Sequence, residues 1–337
     1  MSGLSIGRRG AAAVVTLDRP DRRNEVSIDM LESMANALRA LGRDPMIYGV
    51  VIKSAVSGVF SVGRDESEPS GGVARDAAAV RAARRQEYAL CWQLECFSKP
   101  IVSLIDGQVA GTGNGLTLYG THRVAGENYA FQALHESNAL VPDCGTLYAL
   151  ARMPHAIGRY LALTGRTIGR ADAYALGLVT HCIAAVRFAV IEHLIAEAEP
   201  LDPTLDSRHE EPGASSLLLD GERVQSVFGG ARLDETMERL RTASGSDRVW
   251  ADAVLADLAQ RSQLALALTD EALRRAATLD IDGTLQQDFR LAWHTLRDVP
   301  SRQGLAISQA DVDGFFASLG ADDLVLLPRA QMQAGRG

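Results

Sequence analysis

The chain has 337 residues, 47% hydrophobic and 23% charged, with a formal net charge of −8 and an isoelectric point near 5.4. That is enough chain for one large domain or two ordinary ones, in the composition of a soluble globular protein. The acidic balance argues against a nucleic-acid binder, which usually carries a basic excess, but leaves room for a local basic pocket that meets a phosphorylated cofactor.

The opening MSGLSIGRRGAAAVVTLDRP sets two arginines before a short apolar run and loosely mimics a leader, without a small-residue cleavage site. No apolar run reaches the ~18 residues of a membrane span. Residues 11–17 (AAAVVTL) and 47–53 (IYGVVIK) predict strands rich in valine and isoleucine. Between them SIDMLESMANALRALG has apolar residues at helical spacing, with Ser27 as the expected N-cap and Gly42 as the stop. A long alanine-rich helix follows (GGVARDAAAVRAARRQEYALCWQLECFS) and ends before Lys99–Pro100. PIVSLIDG is a buried strand, GNGLTLYG a helix, and HRVAGENYAFQ supplies two short strands around Gly126.

Strands alternating with helices imply an α/β domain. The expected organisation is a core domain over residues 1–199, a linker or exposed loop over 200–216 where the composition shifts to proline, acid and serine, and a mostly helical region over 217–337. Cys91, Cys96, Cys144 and Cys182 form no CxxC pair and no metal-ligand spacing. They read as buried reduced thiols of a cytoplasmic protein, and no metal is expected.

Three glycine-containing loops carry the chemistry: FSVGRD (60–65), DGQVAGTGNG (106–115) and FQALHESNALVPDCG (131–145). Glycine after a strand leaves backbone N–H groups accessible and lets a ligand approach closely. Two such loops facing each other would present a pair of N–H donors to one oxygen, as charge developing on a carbonyl requires. The second loop runs G-x-G-x-G rather than G-x-G-x-x-G and lies far from the first strand–helix unit, so a dinucleotide site is rejected. The pair His135–Glu136 lacks a second histidine at helical spacing, and no G-x-S-x-G elbow is present.

In order and spacing these loops resemble the crotonase (enoyl-CoA hydratase/isomerase) superfamily. The similarity runs over residues 11–183, from VVTLDRPDRRNEVSIDML through GVFSVGRD, KPIVSLIDGQVAGTGNGLTLYGTHRVAGENYAF and VPDCG to ALTGRTIGRADAYALGLVTHCI. The resemblance implies a spiral of ββα units with a helical C-terminal part, assembled as a homo-oligomer, a trimer or hexamer. It implies an acyl-CoA thioester as substrate and partner, coenzyme A entering only as part of that substrate and no other cofactor. No nucleic-acid or membrane partner is expected. By the same resemblance the backbone N–H groups of Arg64 and Thr112 form an oxyanion hole, Thr112 standing where glycine is usual. Arg22, Arg23, Gly63, Asp65 and Gly111 are the expected contacts for coenzyme A, with a solvated turn as the alternative for the two arginines.

Hydratases of the superfamily use two glutamates, and the position of the first is Gly115 in this chain. Gly115, Asp143 in VPDCG and the long helical tail resemble instead the 3-hydroxyisobutyryl-CoA hydrolase branch, although RDVPSRQGLAISQADVDGFF departs from that branch's usual final segment. Anchoring the third loop on Phe131 and on Pro142–Asp143 gives one register, which puts His135 where the second glutamate belongs and Glu136 one step late. In an extended segment neighbouring side chains face opposite sides, so one step decides which enters the site.

Neutral imidazole, with an ordinary pKa of ~6.5, can take a proton from water. Asp143 would orient it or attack the thioester as nucleophile. As alternatives, His135 only fills a pocket, and Asp143 only caps the helix that follows. Three readings result: a 3-hydroxyacyl-CoA hydrolase, a hydratase or isomerase with a non-standard base, and a CoA-binding or assembly subunit that has lost catalysis.

Overall fold

The computed structural model describes residues 3–67, 77–134, 140–230, 232–298 and 308–334. The chain divides into two compact units that interleave in sequence. One comprises Met1–Gln132, Ile168–Ala214 and Val325–Gly337; the other comprises Ala133–Thr167 and Ser215–Leu324.

Among the described residues the first unit holds two sheets. Strands β1 (Leu4–Arg9), β2 (Ala12–Leu17), β3 (Gly49–Ser54), β5 (Ile101–Ile105), β7 (His122–Ala125) and β10 (His181–Cys182) form the larger one in the order β1-β2-β3-β5-β7-β10. All its pairings are parallel except the antiparallel edge pair β1–β2. Strands β4 (Gly58–Ser61), β6 (Gly107–Ala110), β8 (Ala130–Gln132) and β9 (Ile168–Gly169) form the smaller one, in chain order. The chain passes from the larger sheet to the smaller three times, through β3–β4, β5–β6 and β7–β8.

The largely apolar runs of β2 and β5 are what a parallel sheet covered on both faces needs, and all five residues of β5, Ser103 included, are buried. Helix α1 (Ile28–Arg43) begins where the Ser27 hydroxyl accepts the Met30 N–H at 3.2 Å and buries Met30, Leu31, Met34 and Leu38 along one stripe. Helix α2 (Ala77–Glu95) carries the chain from β4 to β5. Where β6 begins, a Cβ on Gly107 would lie 2.1 Å from the Gly58 carbonyl carbon, and Gly107 has φ +130°. Only glycine lets these two strands approach so closely.

The structure departs from the sequence reading at three places. Residues 4–9, taken with the leader-like opening, form edge strand β1, whose mostly exposed side chains leave little apolar signal. Helix α1 runs through Gly42 to Arg43 and is capped at Asp44. The stretch expected as linker or exposed loop contains a helix, Leu201–Asp206, because Leu201 and Leu205 bury against Val14, Val51 and Val102.

The second unit is helical. Its early segment supplies α4 (Thr146–Leu150) and α5 (Ile157–Thr164). These pack with helices Gly221–Phe228 and Gln263–Ala276, and Arg159 of α5 donates to Asp270 at 2.6 Å. Tyr160 stacks on Trp250 and meets Phe228 edge-on. The four cysteines are buried, and none of them is in a disulfide. Among the described residues no helix is long and apolar enough to cross a membrane.

Candidate active site

Within the first unit, β4 and β6 run side by side in parallel, so the loops that follow them leave from the same end of the smaller sheet. They touch: a Cβ on Gly113 would lie 2.7 Å from the Ser61 carbonyl oxygen. The first loop is stapled to the turn after β2. Val26 donates its N–H to the Gly63 carbonyl at 2.7 Å, and the Asp65 N–H donates to the Val26 carbonyl at 3.0 Å. This bridge uses the groups flanking Arg64, and backbone polar groups alternate in direction along an extended segment, so the Arg64 N–H faces the opposite edge.

Buried Asn24, left-handed at φ 55°, completes the junction. It accepts the Arg19 N–H at 2.7 Å and donates to Ser54 and the Phe60 carbonyl at 2.8 and 2.9 Å. The Asp65 carboxylate is occupied by Arg19, at 2.8 Å, and by Ser67.

In the second loop Gly111 adopts φ 52°, ψ −125°, and Thr112 opens helix α3 (Thr112–Thr117). The first N–H groups of a helix have no partner within it, and the Thr112 N–H is one of these. Gly115 is buried within α3, and its neighbour Asn114 donates to the Gln132 carbonyl at 3.0 Å.

Both loops converge on Glu87 of α2. Its side chain is 1% exposed. Arg64 donates to Oε2 from Nε at 3.2 Å and from Nη2 at 3.0 Å, Arg84 donates to the same oxygen at 3.2 Å, and the Thr112 hydroxyl donates to Oε1. Burial alone would raise this carboxyl's pKa. The guanidinium groups of Arg64 and Arg84, with the Thr112 hydroxyl, reverse that and hold it at about 2. One buried carboxylate thus ties the side chains of the two residues whose backbones the sequence reading singled out.

Sequence reasoning missed Glu87, although a signal was there. Val80, Ala83, Leu90, Cys91 and Leu94 form the buried stripe of α2, and Glu87 stands in that stripe as an acid at an apolar position.

Gly63, Arg64, Asp65, Gly111 and Thr112 therefore lie together. Arg22 and Arg23 lie in the turn stapled to the first loop. Arg22, with a half-exposed side chain, sits 4.0 Å from Glu25, and left-handed Arg23 donates to Gln108 at the start of β6.

Asp143 belongs to the second unit. There Cys144 and Gly145 take successive left-handed conformations, at φ 54° and 71°. The Thr146 N–H donates to the Asp143 carbonyl at 3.0 Å, and the Gly145 N–H donates to the buried Asp288 carboxylate at 2.7 Å. The residue capping α4 is Gly145, with no side-chain hydrogen bond, so the alternative that Asp143 caps this helix is corrected: the left-handed pair sets the helix start two residues later. His135 and Glu136 lie outside the described residues.

The comparisons agree on one family. A family model described as enoyl-CoA hydratase/isomerase matches residues 12–306. The chain is 29% identical over 349 residues to the mitochondrial 3-hydroxyisobutyryl-CoA hydrolase of Xenopus tropicalis, across 95% of this chain and 90% of that protein. Among solved structures, an enoyl-CoA hydratase from Rhodobacter sphaeroides 2.4.1 matches with a TM-score of 0.88 and 28% identity, over 96% of this chain and 100% of that one. A carnitinyl-CoA dehydratase from Mycobacterium thermoresistibile matches with a TM-score of 0.87 and 26% identity, over 96% and 99%.

Proposed function

Because the chain belongs to the enoyl-CoA hydratase/isomerase family, we infer that it is an acyl-CoA enzyme and that it hydrolyses the thioester of a short-chain 3-hydroxyacyl-CoA. Its fold is the crotonase fold, with the repeated passage between two sheets and a helical C-terminal region. The observation that carries the reading is the convergence of Arg64 and Thr112 on buried Glu87. Loops locked to one carboxylate hold their backbone donors in place before a substrate arrives, so little reorganisation is needed as charge grows on the thioester oxygen.

The Arg64 and Thr112 N–H groups take the oxyanion role in this reading. Water adds to the carbonyl carbon and loses a proton to His135, which stands in the register of the superfamily's glutamate. The C–S bond then breaks, the sulfur leaves as coenzyme A thiol after taking up a proton, and the 3-hydroxy acid is released. Asp143 orients the base, or forms a transient anhydride that the water opens. Arg22 and Arg23, beside the first loop, take the phosphates of coenzyme A, with Gly63, Asp65 and Gly111 lining its path through their backbone.

Gly115 favours hydrolysis over hydration, because it leaves no carboxylate where two-glutamate hydratases place their first. The test is free-thiol release from a panel of 3-hydroxyacyl- and enoyl-CoA thioesters. Release that collapses in His135→Ala and Asp143→Ala but survives Glu136→Ala supports the reading. The reverse result for His135 and Glu136 means that the register is slipped by one residue. Turnover without thiol release transfers the chain to the hydratases or isomerases, and binding without turnover identifies a CoA-binding subunit.

A further inference from the structure

Helix Ile281–Asp298 carries an acid at a position its apolar pattern reserves for the core. Leu285, Phe289 and Leu291 are buried on it, and so is Asp288, at 1% exposure. A carboxylate buried within a helix is retained only where donors meet it. Asp288 Oδ2 accepts the Gly145 N–H at 2.7 Å, across 143 residues of sequence.

That N–H lies in an unusual turn. Cys144 is left-handed although it carries a side chain, and Gly145 is left-handed after it. An L-residue avoids this conformation unless its surroundings impose it. The Thr146 N–H closes the turn on the Asp143 carbonyl at 3.0 Å. The peptide of Asp143 is therefore fixed on one side by Thr146, while two residues on the chain is pinned by Asp288.

We propose that Asp288 is a positioning residue, which holds the left-handed Cys144–Gly145 turn through the Gly145 N–H and so sets the direction of the Asp143 carboxylate for the thioester reaction. This rests on the role given to Asp143 above. Misplacing a reacting group by ~1 Å can cost ~100-fold in rate, so the effect belongs in kcat rather than in binding.

The experiment compares wild type, Asp288→Asn, Asp288→Leu, Asp143→Asn and the Asp288→Leu/Asp143→Asn double variant, using thiol release and amide exchange at Gly145. Asparagine keeps an acceptor for the Gly145 N–H; leucine keeps the bulk and removes it. The expected result is a ~10–100-fold fall in kcat for Asp288→Leu with KM within ~3-fold of wild type, and kcat within ~3-fold of wild type for Asp288→Asn. In the Asp143→Asn background Asp288→Leu then lowers kcat less than ~2-fold further, because residues acting as a unit are not additive. Exchange at Gly145 quickens in the leucine variant only. If the leucine variant does not fold, Asp288→Ala takes its place under the same criteria.

Equal losses in both backgrounds would mean a merely structural role and overturn the proposal, as would an asparagine variant as slow as leucine or unchanged exchange at Gly145. A wild type inert towards every thioester overturns the reading of Asp143 itself and this proposal with it. Full Asp143-dependent activity with additive losses overturns the proposal alone.

Discussion

Replacing Thr112 with valine keeps the shape of the side chain and removes one hydroxyl. In the native protein that hydroxyl donates to Oε1 of Glu87, while Arg64 and Arg84 reach Oε2. A hydrogen bond to a charged acceptor contributes about 1.5–3 kcal/mol, and the acceptor sits where water does not substitute. Thr112→Val is therefore expected to destabilise the protein by about that amount, a fall in apparent Tm of roughly 3–10 °C. Glu87→Gln strips two arginines of a buried partner and is expected to lose about 3–5 kcal/mol by itself.

The decisive figure is their coupling. With glutamine at position 87 the acceptor is neutral, so adding Thr112→Val should remove less than about 1 kcal/mol further. Urea melts on the four proteins of the cycle measure this directly. Additive losses, or a Thr112→Val protein as stable as wild type, would refute the idea that Glu87 ties the two loops. If thiol release is intact in Thr112→Val despite the lost stability, Thr112 contributes its backbone alone.

The depressed Glu87 pKa makes a pH prediction. The carboxyl titrates from the ordinary 4.5 in the unfolded chain to about 2 in the folded one, so its contribution is complete above about 4.5 and is lost as pH falls towards about 2. Glu87→Gln should flatten the acid limb of stability in that window. His181 works in the other range. Burial lowers its pKa, its bond to Asp206 opposes this, and neighbouring His122 and His209 lower it further. Its stability contribution is whole above the unfolded value of 6.5 and falls as pH drops below it. Melting curves between about pH 7 and pH 5 should decline less in His181→Asn. Gly107→Ala places a methyl against the Gly58 backbone at a positive φ, and should cost about 3 kcal/mol or more, read as lost soluble yield or a lower melting point.

Some of this architecture is determined by short-range chemistry and was legible in the sequence. The strands β2, β3 and β5 announce themselves as runs rich in valine, isoleucine and alanine with few polar residues, because a strand covered on both faces leaves little room for polar side chains. Helix α1 is marked by the apolar stripe and its serine cap. The glycines at 63, 107 and 111 take positive φ, a conformation that glycine adopts without steric cost. Edge strand β1 escaped notice because most of its side chains face solvent.

What chain order does not contain is which distant polar groups meet. Glu87 stands in the sequence as an acid within the apolar stripe of α2, but only folding places it between residues 64 and 112. Asp288 is likewise an unremarked acid until its helix meets the turn at Gly145. Local propensity acts over a few residues, whereas the energy of burying a carboxylate is decided largely by distant donors that only the tertiary fold brings within hydrogen-bond reach. Short-range patterning sets the family's scaffold and its glycine loops, whereas the pairing of buried charges that holds those loops depends on contacts between residues far apart in the chain.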